Sequence, residues 1–144
     1  MLIGETMTRP GNVCLLSAGA LPVLSTSSHE THPPEATIDG NPETFWATTG
    51  MFPQEFIISL NTLHKIGKIT IESSQIRNLR IETSTSKEPT NFERCVEREL
   101  EHVEGHFQNE EISLPGVQAT HLRFVILSGY DHFVAVRGVS AEIA

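Results

Sequence analysis

The 144-residue sequence has no apolar stretch approaching the roughly 20 residues that a membrane-spanning helix needs. It also has no Lys/Arg run interleaved with aromatics, and its formal charge of −8 would repel a phosphate backbone, so nucleic acid is excluded as a partner. The N-terminus lacks the basic start and continuous apolar run of a secretory signal, which predicts a chain resident in the cytosol or a compartment continuous with it. Only two cysteines occur, Cys14 and Cys95. A lone pair without a secretion signal reads as two reduced thiols, and their spacing excludes a zinc knuckle, which requires clustered Cys/His ligands. No glycine sits in the strand-to-helix setting of a phosphate loop or dinucleotide fingerprint. Internal repeats, low-complexity segments and interdomain linkers are absent too, leaving one domain.

What is present is a series of short runs rich in Val, Ile, Leu, Phe and Thr between Gly, Pro, Asn and Asp turn signals. Residues 1–12, with Gly4, Pro10 and Gly11 and no periodicity, read as a flexible leader, and residues 13–144 as the domain. Strands are expected over 13–17, 23–27, 54–60, 65–73, 78–85, 92–101, 110–114, 120–128 and 133–143. Such spacing predicts an all-β sandwich of two packed antiparallel sheets. Alternation sets Ile66, Lys68 and Thr70 against Ile69 and Ile71, and Leu79 and Ile81 against Arg80 and Glu82. Residues 120–128 carry Leu122, Phe124 and Ile126 on one side and His121, Arg123, Val125 and Leu127 on the other, so the second half is apolar on both faces, the mark of a central strand. The span 92–101 competes with a helix, because Glu93, Arg94, Glu97, Arg98 and Glu101 suit i,i+4 pairing; it is assigned as a strand. Only 34–38 reads as a helical turn, started by proline and ended by Asp39-Gly40.

The least generic segment is residues 32–56, HPPEATIDGNPETFWATTGMFPQEF. Asp39, Asn41, Glu43 and Thr44 offer oxygen donors within one turn, and Gly40 lets the backbone fold so that carbonyls point inward, as a hard cation such as calcium requires. The same residues also make a plain Asp-Gly-Asn-Pro turn, capped by Thr44 or Glu43. Trp46, with Phe45, is expected to pack on the core and fix the loop's exit.

Other chemistry is weaker. His29 and His32 precede two prolines, so no helix sets them on one face, and the seven histidines read mostly as solvated loop residues. Asp131-His132 reads as a surface pair, since Ser128-Gly129 is no nucleophile elbow. Glu97, Glu99, Glu101 and Glu104 read as a solvated acidic face rather than a glycosidase pair. Nothing indicates an enzyme.

The pattern Ala36-x-x-Asp39-Gly40-x-x-x-Thr44-x-Trp46 resembles the discoidin or coagulation-factor C-type family of the galactose-binding superfamily. With STSKEPTNFE, NEEI, LRFVILSGYDHF and VSAE, it is similar above all to a branch that serves in intraflagellar transport. The resemblance implies a jelly roll of about eight or nine strands with one structural calcium ion. Its ligands would be Asp39, Asn41, Thr44 and Glu142, joined by Ala36, which stands where close relatives have Asn and so offers only its backbone carbonyl. It further implies a non-enzymatic subunit of the intraflagellar transport B complex, found in cilium and cytoplasm. There it would pair with a Rab-like small GTPase, intraflagellar transport protein twenty-seven, and support cargo transport. A glycan- or lipid-head-group-binding module is the alternative that the wider family implies.

Overall fold

A computed structural model describes residues 20–25, 37–38, 45–48, 51–101, 107–131 and 133–144. Seven strands run through them: β1 (Leu21–Ser25), β2 (Trp46–Ala47), β3 (Gln54–Ser74), β4 (Ile76–Ser84), β5 (Glu93–Glu99), β6 (Gln108–Gly129) and β7 (Ala135–Ile143). All pairings are antiparallel. The expected leader and the strand expected over 13–17 lie outside the described residues.

Strands β3 and β6 are long enough to serve two sheets. The pairing of β3 with β6 jumps from Ser59↔His121 to His64↔Ala119. On one side of this corner, residues 54–59 of β3 lie between β1 and the second half of β6, which continues to β4 and then β5. On the other, residues 64–74 lie between β7 and the first half of β6, with β2 beyond β7. Seven strands, two of them shared, thus form two sheets folded on each other as a jelly roll.

The sequence reading divides both shared strands, because Asn61-Thr62 and Pro115-Gly116 resemble turns. In the structure each runs through. Thr62 and Leu63 stay extended across the corner, while Pro115 and Gly116 (φ 79°) fall in a register jump of β6 where no ladder bond to β3 is required. Within the span 92–101 a strand is confirmed over Glu93–Glu99, where β5 pairs antiparallel with β4 across one register shift at Cys95.

One assignment of faces is corrected. Register shifts on both neighbours between Ile66 and Lys68 make Gly67 a bulge, so Ile66, Ile69 and Ile71 share the core face and are fully buried. Strict alternation places Ile66 with Lys68, which a two-residue period cannot avoid. Glycine is required at the bulge because a Cβ at Gly67 would stand 2.8 Å from Ala144 Cα.

Between the sheets, Phe56 of β3 stacks on Phe124 of β6 with centroids 4.8 Å apart, and Trp46 meets Phe56 edge-on at 4.9 Å. Ile58, Ile81, Leu122, Val136 and Ala141 complete the same buried cluster. Burying side chains of this size contributes about 1.5–3 kcal/mol each, and the expected central position of residues 120–128 is borne out by their place between β3 and β4.

Candidate functional site

The exit of the Asp-Gly loop is fixed from both sides. Trp46 enters the core, while half-buried Phe45, the residue before β2, packs on Phe107, 5.7 Å between ring centroids. Phe107 in turn lies under the Arg137 guanidinium at 4.7 Å, and Arg137 Nη2 donates to Glu72 Oε2 at 2.7 Å. A short ladder with β7, Trp46↔Val136 and Ala47↔Ala135, continues as Thr48 N–H donates to the Val134 carbonyl and Val134 N–H to Thr48 Oγ1, each at 3.1 Å. The expectation that Trp46 is a core anchor is met.

Of the five residues expected to hold calcium, Ala36, Asp39, Asn41 and Thr44 lie outside the described residues. Glu142 is described: it stands on β7 opposite Lys68 of β3, whose Nζ is 3.4 Å from Glu142 Oε2 and 3.9 Å from Glu111 Oε2. Among the described residues no three His, Cys, Asp or Glu side chains are grouped to hold a metal. Thr37 and Ile38, the described residues of the expected helical turn, are both buried.

Across the outer face of β3, β6, β4 and β5 runs a chain of alternating charges. Arg123 at its centre donates through Nε and Nη2 to Glu55 Oε2 at 3.1 and 2.5 Å, and through Nη1 to Glu82 Oε1 at 3.1 Å. Glu82 also accepts from Arg80 Nη1 at 3.2 Å, and Glu97 lies 3.8 Å from Arg80 and 3.5 Å from Arg94. The hydrogen bond to Glu55 pushes the Arg123 guanidinium above its already high pKa, with both carboxylates adding to the effect against partial desolvation. Phe92 covers it, 5.6 Å from ring centroid to guanidinium carbon. The acidic face expected of Glu97 and Glu99 is therefore a paired one, Glu99 being 3.4 Å from Arg77; Glu104 lies outside the described residues.

His121 departs from the solvated role expected of the histidines. It is buried, with Nδ1 3.0 Å from Thr120 Oγ1, and that hydroxyl is within 3.0 and 2.6 Å of the Ser84 and Ser86 carbonyls. The Thr120 proton goes to a carbonyl, so His121 Nδ1 is the donor to Thr120. His29, His32 and His132 lie outside the described residues. Cys95 is a free, half-buried thiol whose pKa burial raises.

At the end of the sandwich where β3 begins and β6 gives way to β7, Tyr130 donates its hydroxyl to the Leu100 carbonyl at 2.6 Å and its N–H to the Gln75 carbonyl at 2.8 Å. Arg77 lies over its ring at 5.9 Å. Gly129 is wedged beneath: a Cβ there would meet Phe52 Cζ at 2.6 Å, the Gln75 carbonyl oxygen at 2.9 Å and Val134 Cγ1 at 3.0 Å.

The model of the F5/8 type C domain matches residues 23–138. Over 134 residues the chain is 55% identical to the intraflagellar transport protein 25 homolog of Mus musculus, covering 93% of this chain and 94% of the mouse protein. The chain belongs to the F5/8 type C domain family, in its intraflagellar transport protein 25 branch. A protein of that name in Chlamydomonas reinhardtii is 38% identical over 122 residues, covering 85% of this chain and 64% of the algal protein.

Two solved structures illustrate how far the backbone is shared. A family 32 CBM from C. perfringens NanJ in complex with galactose superposes with a TM-score of 0.77 at 16% identity, covering 91% of this chain and 97% of the other. CpGH89CBM32-5 from Clostridium perfringens, in complex with GalNAc-β-1,3-galactose, gives 0.78 at 19%, covering 91% and 99%. At such identities the likeness concerns the fold alone. The signal that the sequence reading missed is β2: two residues are too few for periodicity, and only the pairing of Trp46 with Val136 reveals a strand.

Proposed function

We propose that this protein is a non-enzymatic subunit of the intraflagellar transport B complex that binds a Rab-like small GTPase and supports cargo transport in cilia, shared between cilium and cytoplasm. The observation that carries the reading is 55% identity to the mouse intraflagellar transport protein 25 homolog across nearly the whole of both chains. A rigid sandwich presenting loops at its ends suits a role performed through contacts.

The same reading includes one structural calcium ion. Its proposed donors are the Ala36 carbonyl, Asp39, Asn41, Thr44 and Glu142, all oxygen and with two carboxylates, a set matched to a hard divalent cation. Anchoring by Trp46 and by the Phe45–Phe107–Arg137 stack keeps the loop's exit in place, which lowers the ordering cost of binding an ion. Replacing Asp39 by Ala is expected to lower the melting temperature in calcium and to leave it nearly unchanged in chelator. Equal losses in both would reduce Asp39 to a turn residue.

Co-purification with the GTPase on a sizing column, in calcium and in chelator, tests the whole reading. A one-to-one complex in both conditions supports a constitutive subunit with a structural ion, and a complex in calcium alone makes the ion a switch. No complex in either refutes it and favours the second reading, a glycan- or lipid-head-group-binding module. The backbone likeness to carbohydrate-binding modules in complex with galactose-containing sugars favours that second reading on fold alone.

A further inference from the structure

We propose that the free edge of β5 is a docking surface for a second copy of the chain, the two β5 strands pairing antiparallel about a two-fold axis at Val96. Strand β5 lies at the opposite end of the strand order from β2 and the loop exit that Trp46 anchors, and the proposal is independent of the GTPase reading.

Among the described residues the only ladder of β5 is with β4. The phase of that ladder follows from Leu100 N–H, which donates to the Arg77 carbonyl at 2.7 Å, one pair beyond Asn78↔Glu99. Hydrogen-bonded and non-bonded pairs alternate along an antiparallel ladder. Arg98 and Val96 therefore turn their N–H and C=O groups to β4, while Glu99 and Glu97 turn theirs outward. Cys95 is the extra residue at the register shift, and the next pair beyond it is Glu82↔Arg94, so the Arg94 backbone also faces outward. Faces follow from the partners on β4. Glu93, Val96 and Arg98 stand opposite Thr83, Ile81 and Leu79 on the core side, and Arg94, Glu97 and Glu99 stand opposite Glu82, Arg80 and Asn78 on the outer side.

Set against a second copy about Val96, with each bulge accommodated as it is on β4, the strand is complementary in three respects. Glu97 meets Arg94 of the second copy, and both have outward backbone groups to exchange. Their opposite charges share the outer face, while on the core face Glu93 meets Arg98, and symmetry repeats each pair. At the axis Val96 meets its own copy in a non-bonded pair, where side chains approach closest. Moving the axis one place either way faces Glu97 or Arg94 with itself. Glu93 and Arg98 are exposed and make no ion pair among the described residues, so this register supplies each with one. Val96, packed against the core from one side only, gains an apolar neighbour.

A charged, bulged edge is blunted toward an arbitrary strand; here the order of the charges selects a copy of itself. The net charge of −8 acts against self-association, but at physiological ionic strength charges more than about 8 Å apart are largely screened. Neighbouring strands lie about 4.8 Å apart, so the facing pairs outweigh the distant repulsion.

The test uses the full chain. In a Cys14→Ser, Cys95→Ser background, Val96→Cys is expected to form a covalent dimer under mild oxidation, because directly opposed non-bonded residues have Cα atoms about 4.5 Å apart, within reach of a disulfide. Glu99→Cys, far from the axis, is expected to stay monomeric under the same conditions. Sedimentation equilibrium of the unsubstituted chain at high concentration is expected to show a dimer. Arg98→Glu should raise its dissociation constant about tenfold, since two attractive pairs become repulsive, and adding Glu93→Arg should restore it. A thermal melt of each variant checks that the fold is kept. No cross-link through a folded Val96→Cys chain, or cross-linking as efficient through Glu99→Cys, would overturn the proposal. So would an Arg98→Glu effect that Glu93→Arg fails to reverse, or an unsubstituted chain that stays monomeric.

Discussion

Arg123 bridges two carboxylates from different strands, and removing it exposes how much of this face depends on charge pairing. Replacement by Met keeps much of the aliphatic stem beneath Phe92 and deletes the three donors that reach Glu55 and Glu82. Breaking a fully buried ion pair costs about 3–5 kcal/mol, whereas exposed pairs contribute about 0.2–1 kcal/mol. Arg123 is intermediate: its side chain is 32% exposed, while those of Glu55 and Glu82 are 19% and 11% exposed. Arg80 also remains to balance Glu82. The expected loss is therefore about 1.5–3 kcal/mol, most of it from carboxylates left poorly partnered rather than from attraction forgone. Urea denaturation of Arg123→Met, Glu55→Leu and the double variant, followed by circular dichroism, separates the two causes. The double variant should be more stable than Arg123→Met, because the stranded carboxylate is gone. A double variant whose losses simply add, or an Arg123→Met loss below about 0.5 kcal/mol, would refute a coupled network.

Three further outcomes follow from the packing. Trp46→Ala should cost about 3–5 kcal/mol in denaturant-measured stability, since the indole is fully buried against Phe56; a loss under half of that would mean the loop exit collapses to fill the space. Gly129→Ala should destabilise by about 1–3 kcal/mol through overpacking, because the new methyl meets a backbone carbonyl at 2.9 Å as well as two side chains, and an unchanged melting temperature would contradict that geometry. Cys95, followed by maleimide labelling in a Cys14→Ser background, should react more slowly near neutral pH than a free thiol in the unfolded chain, because burial holds its pKa up. Since the folded thiol ionises less readily than the unfolded one, its contribution to stability is complete below the ordinary thiol range and declines as pH rises through and above it; labelling that matches the unfolded rate would remove the effect.

Much of this architecture is legible from residue pattern because the sheets are half-buried and alternate. Leu79 and Ile81 face the core opposite Arg80 and Glu82 as the period of two requires, and the doubly apolar run from Phe124 to Leu127 marks β6 as central. Failures occur where a strand breaks its own period. Gly67 shifts the face of everything after it, and a bulge is decided by the neighbouring chain, here the approach of Ala144, rather than by the residues preceding it. Likewise Asn61-Thr62 and Pro115-Gly116 have turn chemistry, yet a strand that must cross between two sheets needs residues there that forgo ladder partners, which such residues tolerate. For the site, Trp46 was legible as an anchor because a large aromatic beside a turn has few other places to go, while the clasp of its neighbour Phe45 by Phe107, itself under Arg137, was not, since those partners lie over 60 and 90 positions further along the chain.

The division between what is shared and what is particular also explains why the fold alone leaves function open. The β3–β6 spine, the Phe56–Phe124 stack and the two-sheet crossing are what a jelly roll needs, and a sugar-binding module with 16% identity superposes on them at a TM-score of 0.77. Such elements are constrained by packing, so they are satisfied by many sequences and carry little information about a partner. Surface features answer to no packing requirement. An 88% exposed Met51 and a half-exposed Phe133 contribute little to stability where they stand. The discriminating variants are accordingly those on the surface, because substitutions along the spine would lower the stability of a sugar binder and a transport subunit alike.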